Sequence, residues 1–89
     1  MPYIKKEQRE SIAAGEAPKD AGELNYFITT NLVRYMESKG QNYATLNEIM
    51  GVLGCVTQEF YRRFATPYEE LKIQENGDIA IPAKIRTDR

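Results

Sequence analysis

Residues 45–65 read TLNEIMGVLGCVTQEFYRRFA, and this stretch decides the fold. At the 3.6-residue period of an α-helix, Leu46, Ile49, Met50, Leu53, Val56, Phe60 and Phe64 fall on one face, widened by Val52 and Tyr61. Glu48, Gln58 and Arg62 fall on the other. Thr45, followed three residues later by Glu48, has the pattern of a capping box that opens such a helix. Arg62 and Arg63 suit the negative end of the helix dipole at its close, near Ala65.

Working upstream, residues 41–44 make a loop, and Gly40 is placed to end a preceding helix. Asp20 and Glu23 repeat the capping-box spacing at its start. Along that helix Leu24, Phe27, Ile28, Leu32, Tyr35 and Met36 form a core-facing stripe that includes Asn31, while Tyr26 and Val33 make a smaller apolar patch on the opposite side. Further upstream, residues 5–14 are good helix formers and Gly15 suits a left-handed cap. Residues 16–19, with Pro18, connect the two.

Downstream, Thr66, Pro67 and Glu69 form a third cap signal with proline at the first helical position. The long helix is expected to break there, and a short one to run from Pro67 to Ile73 or Gln74. Asn76-Gly77, between Leu71/Ile73 and Ile79/Ile81, is also a hairpin signal, so residues 71–81 admit a small β-hairpin as the alternative, with Ile79 to Ile81 extended in either case. The fold class read from these signals is mainly α: an antiparallel helical hairpin with short N- and C-terminal helices, residues 1–82 forming one domain and residues 83–89 a flexible basic tail. Each long helix carries more apolar face than one neighbour can cover, which predicts a homodimer or higher oligomer.

The 89 residues carry 12 basic and 13 acidic side chains, a net charge of −1 that gives no global field toward nucleic acid or an anionic membrane. No apolar run approaches membrane-spanning length and the start lacks a signal-peptide core, so the expected location is the cytoplasm. Histidine is absent and Cys55 is the single cysteine, which removes the usual general base, the thiol–imidazole pair and any ordinary zinc set. No phosphate-loop, dinucleotide-binding or zinc-protease motif occurs. We therefore expect no catalytic residues, no metal and no cofactor. Cys55 reads as a small buried packing residue. The adjacent Glu69 and Glu70 point about 100° apart on a helix, and a cap role accounts for Glu69.

Two features remain that could bind something. Gly51 and Gly54 each cost a helix interior about 1 kcal/mol, which close approach of another backbone at a subunit seam would offset. Tyr35 beside Arg34, then Phe60, Tyr61, Arg62, Arg63, Tyr68 and Lys72, interleave rings with cations. In the ligand reading Arg62, Arg63 and Lys72 hold phosphate, Tyr61 and Tyr68 stack a base with Tyr35 nearby, and Asn31 reads a polar edge. In the plain reading the same string is an ordinary helix end, and Asn31 is an amide bonded to backbone.

The segments Met1-Pro2-Tyr3-Ile4, Gly22-Glu23-Leu24-Asn25-Tyr26, Asn47-Glu48-Ile49 with Gly51-Val52-Leu53, Glu59-Phe60-Tyr61-Arg62-Arg63, Pro67-Tyr68-Glu69 and Lys72 to Asp78 together resemble a family of short proteins of unknown function from bacteriophage and bacterial genomes. The resemblance covers residues 1–79 and implies a phage or prophage setting, with no functional residues to carry over. The expectation is a non-enzymatic oligomeric binding protein in the cytoplasm of an infected host, a counter-defence factor sequestering an anionic nucleotide-type signal. The alternative is an interaction or inhibitor subunit that covers a host protein with the Tyr26/Val33 face, with Gly51 and Gly54 at the subunit seam.

Overall fold

The computed structural model describes residues 4–80. It is mainly α: α1 (Lys6–Ala13), α2 (Ala21–Lys39), α3 (Tyr43–Phe60), a π-helical turn (Tyr61–Ala65) and α4 (Thr66–Asn76), with no strand among the described residues. Ile81 and the basic tail at residues 83–89 lie outside the described residues. The chain gathers into two units, Met1–Gly51 and Val52–Arg89.

In the first unit α1 begins where the Lys5 N–H donates to Gln8 Oε1 at 2.7 Å and ends at Gly15, whose φ of +101° lies in the region that favours glycine. Asp20 caps α2 as its spacing predicts, accepting from the Glu23 N–H at 2.8 Å. The other half of the box is shifted by one residue, because Glu23 Oε1 accepts from the Lys19 N–H at 3.0 Å rather than from Asp20. Its second oxygen accepts from Gln8 Nε2 at 2.8 Å, so one carboxylate ties α1, the connector and α2 together. Glu23 is buried with every polar atom satisfied.

The cap of α3 is Asn42 and not Thr45. Asn42 Oδ1 accepts from the Thr45 N–H at 2.9 Å and its carbonyl accepts from Leu46 at 3.0 Å, so the helix starts at Tyr43 and the loop after Gly40 is shorter than expected. Asparagine caps at least as well as threonine, and Thr45, placed in the first turn, is buried instead. Glu48 is then released from capping. It accepts the Tyr35 hydroxyl hydrogen bond and lies 3.9 Å from Lys39 Nζ, joining the end of α2 to the start of α3.

The side of α2 that meets α1 overlaps one edge of the expected stripe: Phe27 and Asn31 of the stripe, with Tyr26, Thr30 and Arg34 beyond it, border a groove against Ile12 and Ala13 of α1, while Leu32 and Met36 are half-buried and Leu24, Ile28 and Tyr35 stay at least 40% exposed. Glu23 explains the choice: it lies one turn before Tyr26, and its bond to Gln8 draws α1 onto that side. Ile12 is the buried hydrophobic residue among those described.

In the second unit the expected break at Thr66-Pro67 does not occur. Thr66 keeps helical angles (φ −62°, ψ −49°) and its N–H reaches back five residues to the Tyr61 carbonyl. Proline in a regular helix clashes with the carbonyl four residues before it; the wider turn just ahead of Pro67 relieves that contact and the helix continues. Glu69 does not close a box on Thr66; it accepts from the Tyr61 hydroxyl at 2.8 and 3.0 Å. α4 runs to Asn76, beyond the expected Gln74, and stops at Gly77, whose φ is +86° and whose N–H donates to the Ile73 carbonyl at 2.8 Å. The Asn-Gly signal thus serves a helix end, and residues 71–76 are helical rather than part of a hairpin. Cys55, expected to be buried, is exposed: none of the described elements of its unit covers that turn of α3.

Candidate functional site

The residues read from sequence as a phosphate and base site fall in both units: Asn31 and Tyr35 in the first, Tyr61, Arg62, Arg63, Tyr68 and Lys72 in the second. In the second unit the cations sit beside carboxylates. Arg62 Nη2 donates to Glu59 Oε2 at 2.9 Å, Arg63 Nε donates to the same oxygen, and Lys72 Nζ lies 3.2 Å from Glu75 Oε1. Lys72 Nζ also stands 5.5 Å from the centre of the Tyr68 ring. These pairs are solvent-exposed and individually weak. They lower the local positive potential that would draw a phosphate.

Tyr61 bonded to Glu69 is the second feature of this region. The hydrogen bond to the carboxylate holds the phenol proton, helped by the negative charge of Glu69 and by partial burial, and so raises the Tyr61 pKa above its ordinary 10.0. Tyr35 behaves alike: its bond to Glu48 comes first, then burial and the Glu48 charge, with Lys39 opposing. Neither phenol is a candidate base near neutral pH.

In the first unit Asn31 Nδ2 donates to the Phe27 carbonyl at 2.7 Å, the plain reading of that amide, but the residue is exposed rather than buried and its Oδ1 remains open. It lines the groove with Ile12, Ala13, Tyr26, Phe27, Thr30 and Arg34, about 330 Å³ in volume. That is at the small end of ligand-sized clefts. Among the described residues Arg34 has no acidic partner. The sequence sets Arg34 beside Tyr35 among the rings and cations without giving it a ligand role; its place two turns after Phe27 on the same side of α2 is the signal that ties it to this groove.

Val33 is exposed on α2, as an outward residue should be, whereas Tyr26 is half-buried beside the groove. Among the described residues a Cβ on Gly51 or Gly54 would meet nothing within 4 Å. Gly22 and Gly40 do support close contacts: a Cβ on Gly22 would come 3.0 Å from Ile4 Cγ2, and one on Gly40 3.1 Å from Asn42 Nδ2. No group of three potential metal-binding side chains occurs among the described residues, and no described helix is long and apolar enough to cross a membrane.

The chain matches the family described as Domain of unknown function (DUF6899) over residues 1–79, and it belongs to that family. No curated protein and no solved structure matches it.

Proposed function

We propose that this member of the DUF6899 family is a non-enzymatic, oligomeric binding protein whose working surfaces are apolar helix faces, an interaction or inhibitor subunit. One observation carries the reading. Among the described residues Ile12 is the buried hydrophobic side chain, while 17 large hydrophobic residues are exposed. Full burial of such a side chain is worth roughly 1.5–3 kcal/mol, and a small domain survives on a net of about 5–15 kcal/mol. Surface left uncovered on that scale is surface for a partner. On α2 Val33 is exposed on the same side as Tyr26, and Leu24, Ile28 and Tyr35 are exposed on the opposite side. The test is affinity capture by the full chain and by Val33→Asp. A host protein held by the first and lost by the second supports the reading; identical capture by both contradicts it.

A second reading rests on Arg34. An arginine without an acidic partner among the described residues, beside Tyr26, Phe27 and the open amide oxygen of Asn31, suits an anionic, ring-bearing small molecule of nucleotide type. In a phage setting such capture would serve counter-defence. Calorimetric titration with cyclic nucleotides and ADP-ribose-type molecules tests it: heat lost on Arg34→Ala supports it, and silence across the panel discards it.

A further inference from the structure

The groove of the first unit presents three kinds of chemistry in a fixed order along α2. Phe27, Asn31 and Arg34 lie within about 60° of one another on the helix, so a ring, an amide and a cation succeed each other over a rise of about 10 Å. Tyr26 stands beside Phe27 and Thr30 beside Asn31, with Ile12 of α1 opposite.

In the middle of this run two oxygens have no donor among the described residues. The Thr30 hydroxyl hydrogen is held between the Tyr26 and Phe27 carbonyls, at 2.9 and 3.1 Å, which leaves the oxygen lone pairs open. Asn31 Nδ2 donates to the Phe27 carbonyl at 2.7 Å. A carbonyl only accepts, so this bond fixes which way the amide faces and leaves Oδ1 open. At one end of the run the Arg34 guanidinium has no acidic partner among the described residues. At the other end are the Tyr26 and Phe27 rings.

A molecule that satisfies all three parts carries, in order, an anion, a hydroxyl or amino donor, and a flat ring. A ribonucleotide has that order: phosphate, sugar hydroxyl, base. An amino group on the base would not serve the same two oxygens, because in this alignment the base lies one turn away, over Phe27. The groove volume of about 330 Å³ leaves room for a single nucleotide unit.

We propose that this groove is a ribonucleotide site: Arg34 holds the phosphate, Tyr26 and Phe27 carry the base, and Asn31 Oδ1 and Thr30 Oγ1 accept from the 2′-hydroxyl, so that ribose is selected over deoxyribose. This deepens the nucleotide reading above and rests on it. The 2′-hydroxyl is the group to vary, since in a 3′,5′-cyclic nucleotide it is the one free sugar hydroxyl.

The test is calorimetric titration of the full chain with 3′,5′-cyclic AMP and cyclic GMP, each beside its 2′-deoxy form. The expected result is tighter binding of a ribo form than of its deoxy counterpart by roughly three- to tenfold, the worth of one hydrogen bond. The ratio should fall to about one in the double variant Thr30→Val, Asn31→Ala. Circular dichroism checks that this variant keeps the helix content of the parent, and Asn31→Ala alone replaces it if it does not. Equal binding of ribo and deoxy forms by the parent overturns the ribose assignment while the nucleotide reading stands. A ratio that survives the substitutions overturns it as well, because the hydroxyl is then read elsewhere. Silence from all four compounds overturns the site, and silence that extends to ADP-ribose-type molecules removes the nucleotide reading with it.

Discussion

The Gln8 carboxamide donates to the Glu23 carboxylate at 2.8 Å, across fifteen residues of sequence, and this bond joins α1 to α2 in the first unit. Glu23 is buried, so removing either partner leaves a group that was satisfied with no replacement. Glu23→Ala is expected to destabilise the unit by about 1.5–3 kcal/mol and Gln8→Ala by less, because Lys19 still donates to the carboxylate. Denaturant unfolding of both single variants and the double measures this; additive losses would show that the two residues do not act together.

Asn42, rather than Thr45, is expected to behave as the α3 cap. Asn42→Ala should cost about 0.5–2 kcal/mol and Asn42→Asp close to nothing, since the carboxylate can accept the same Thr45 N–H. Thermal unfolding of the two variants checks the order.

Tyr61 should ionise above the ordinary phenol value of 10.0 because its hydroxyl donates a hydrogen bond to the Glu69 carboxylate, which holds the proton on the phenol. The folded pKa is raised over the unfolded one, so the contribution to stability is complete below pH 10 and is lost as pH climbs through the higher folded value. Phenolate absorbance of a variant carrying Tyr61 as its sole titrating tyrosine should show the raised midpoint, and Glu69→Ala should return it toward the ordinary value.

Gly54→Ala should stabilise α3 by about 1 kcal/mol, because a Cβ there meets nothing within 4 Å and the helix sheds the entropic penalty of glycine. Lost stability together with a reduced solution mass would instead place Gly54 at a subunit seam.

The helices were legible because their signals are local. Asp20, Gly15, Gly40 and the apolar spacing from Leu46 to Phe64 act within a few residues of themselves, and the structure uses them in that way. What was missed depends on competition between neighbours. Asn42 and Thr45 both qualify as caps, and spacing cannot rank them. Thr66-Pro67 reads as a stop, and nothing in the sequence shows that the chain keeps its helix by widening one turn at Tyr61–Ala65. That Tyr26 joins Phe27 and Asn31 beside α1 was not legible from the apolar stripe, because the deciding contact is polar, Glu23 on Gln8. The aromatic and basic string at Phe60 to Lys72 was visible, but the pairing of its cations with Glu59 and Glu75 emerges only when the helix places them one turn apart.

The account depends on the exposed apolar helix faces being covered by another molecule of the same chain. Light scattering of the parent protein through a dilution series tests this most directly. Twice the chain mass at high concentration, falling toward the single-chain mass with a matching loss of helical signal, is the predicted result. A single-chain mass at every concentration, with sharp cooperative unfolding that does not depend on concentration, would contradict it.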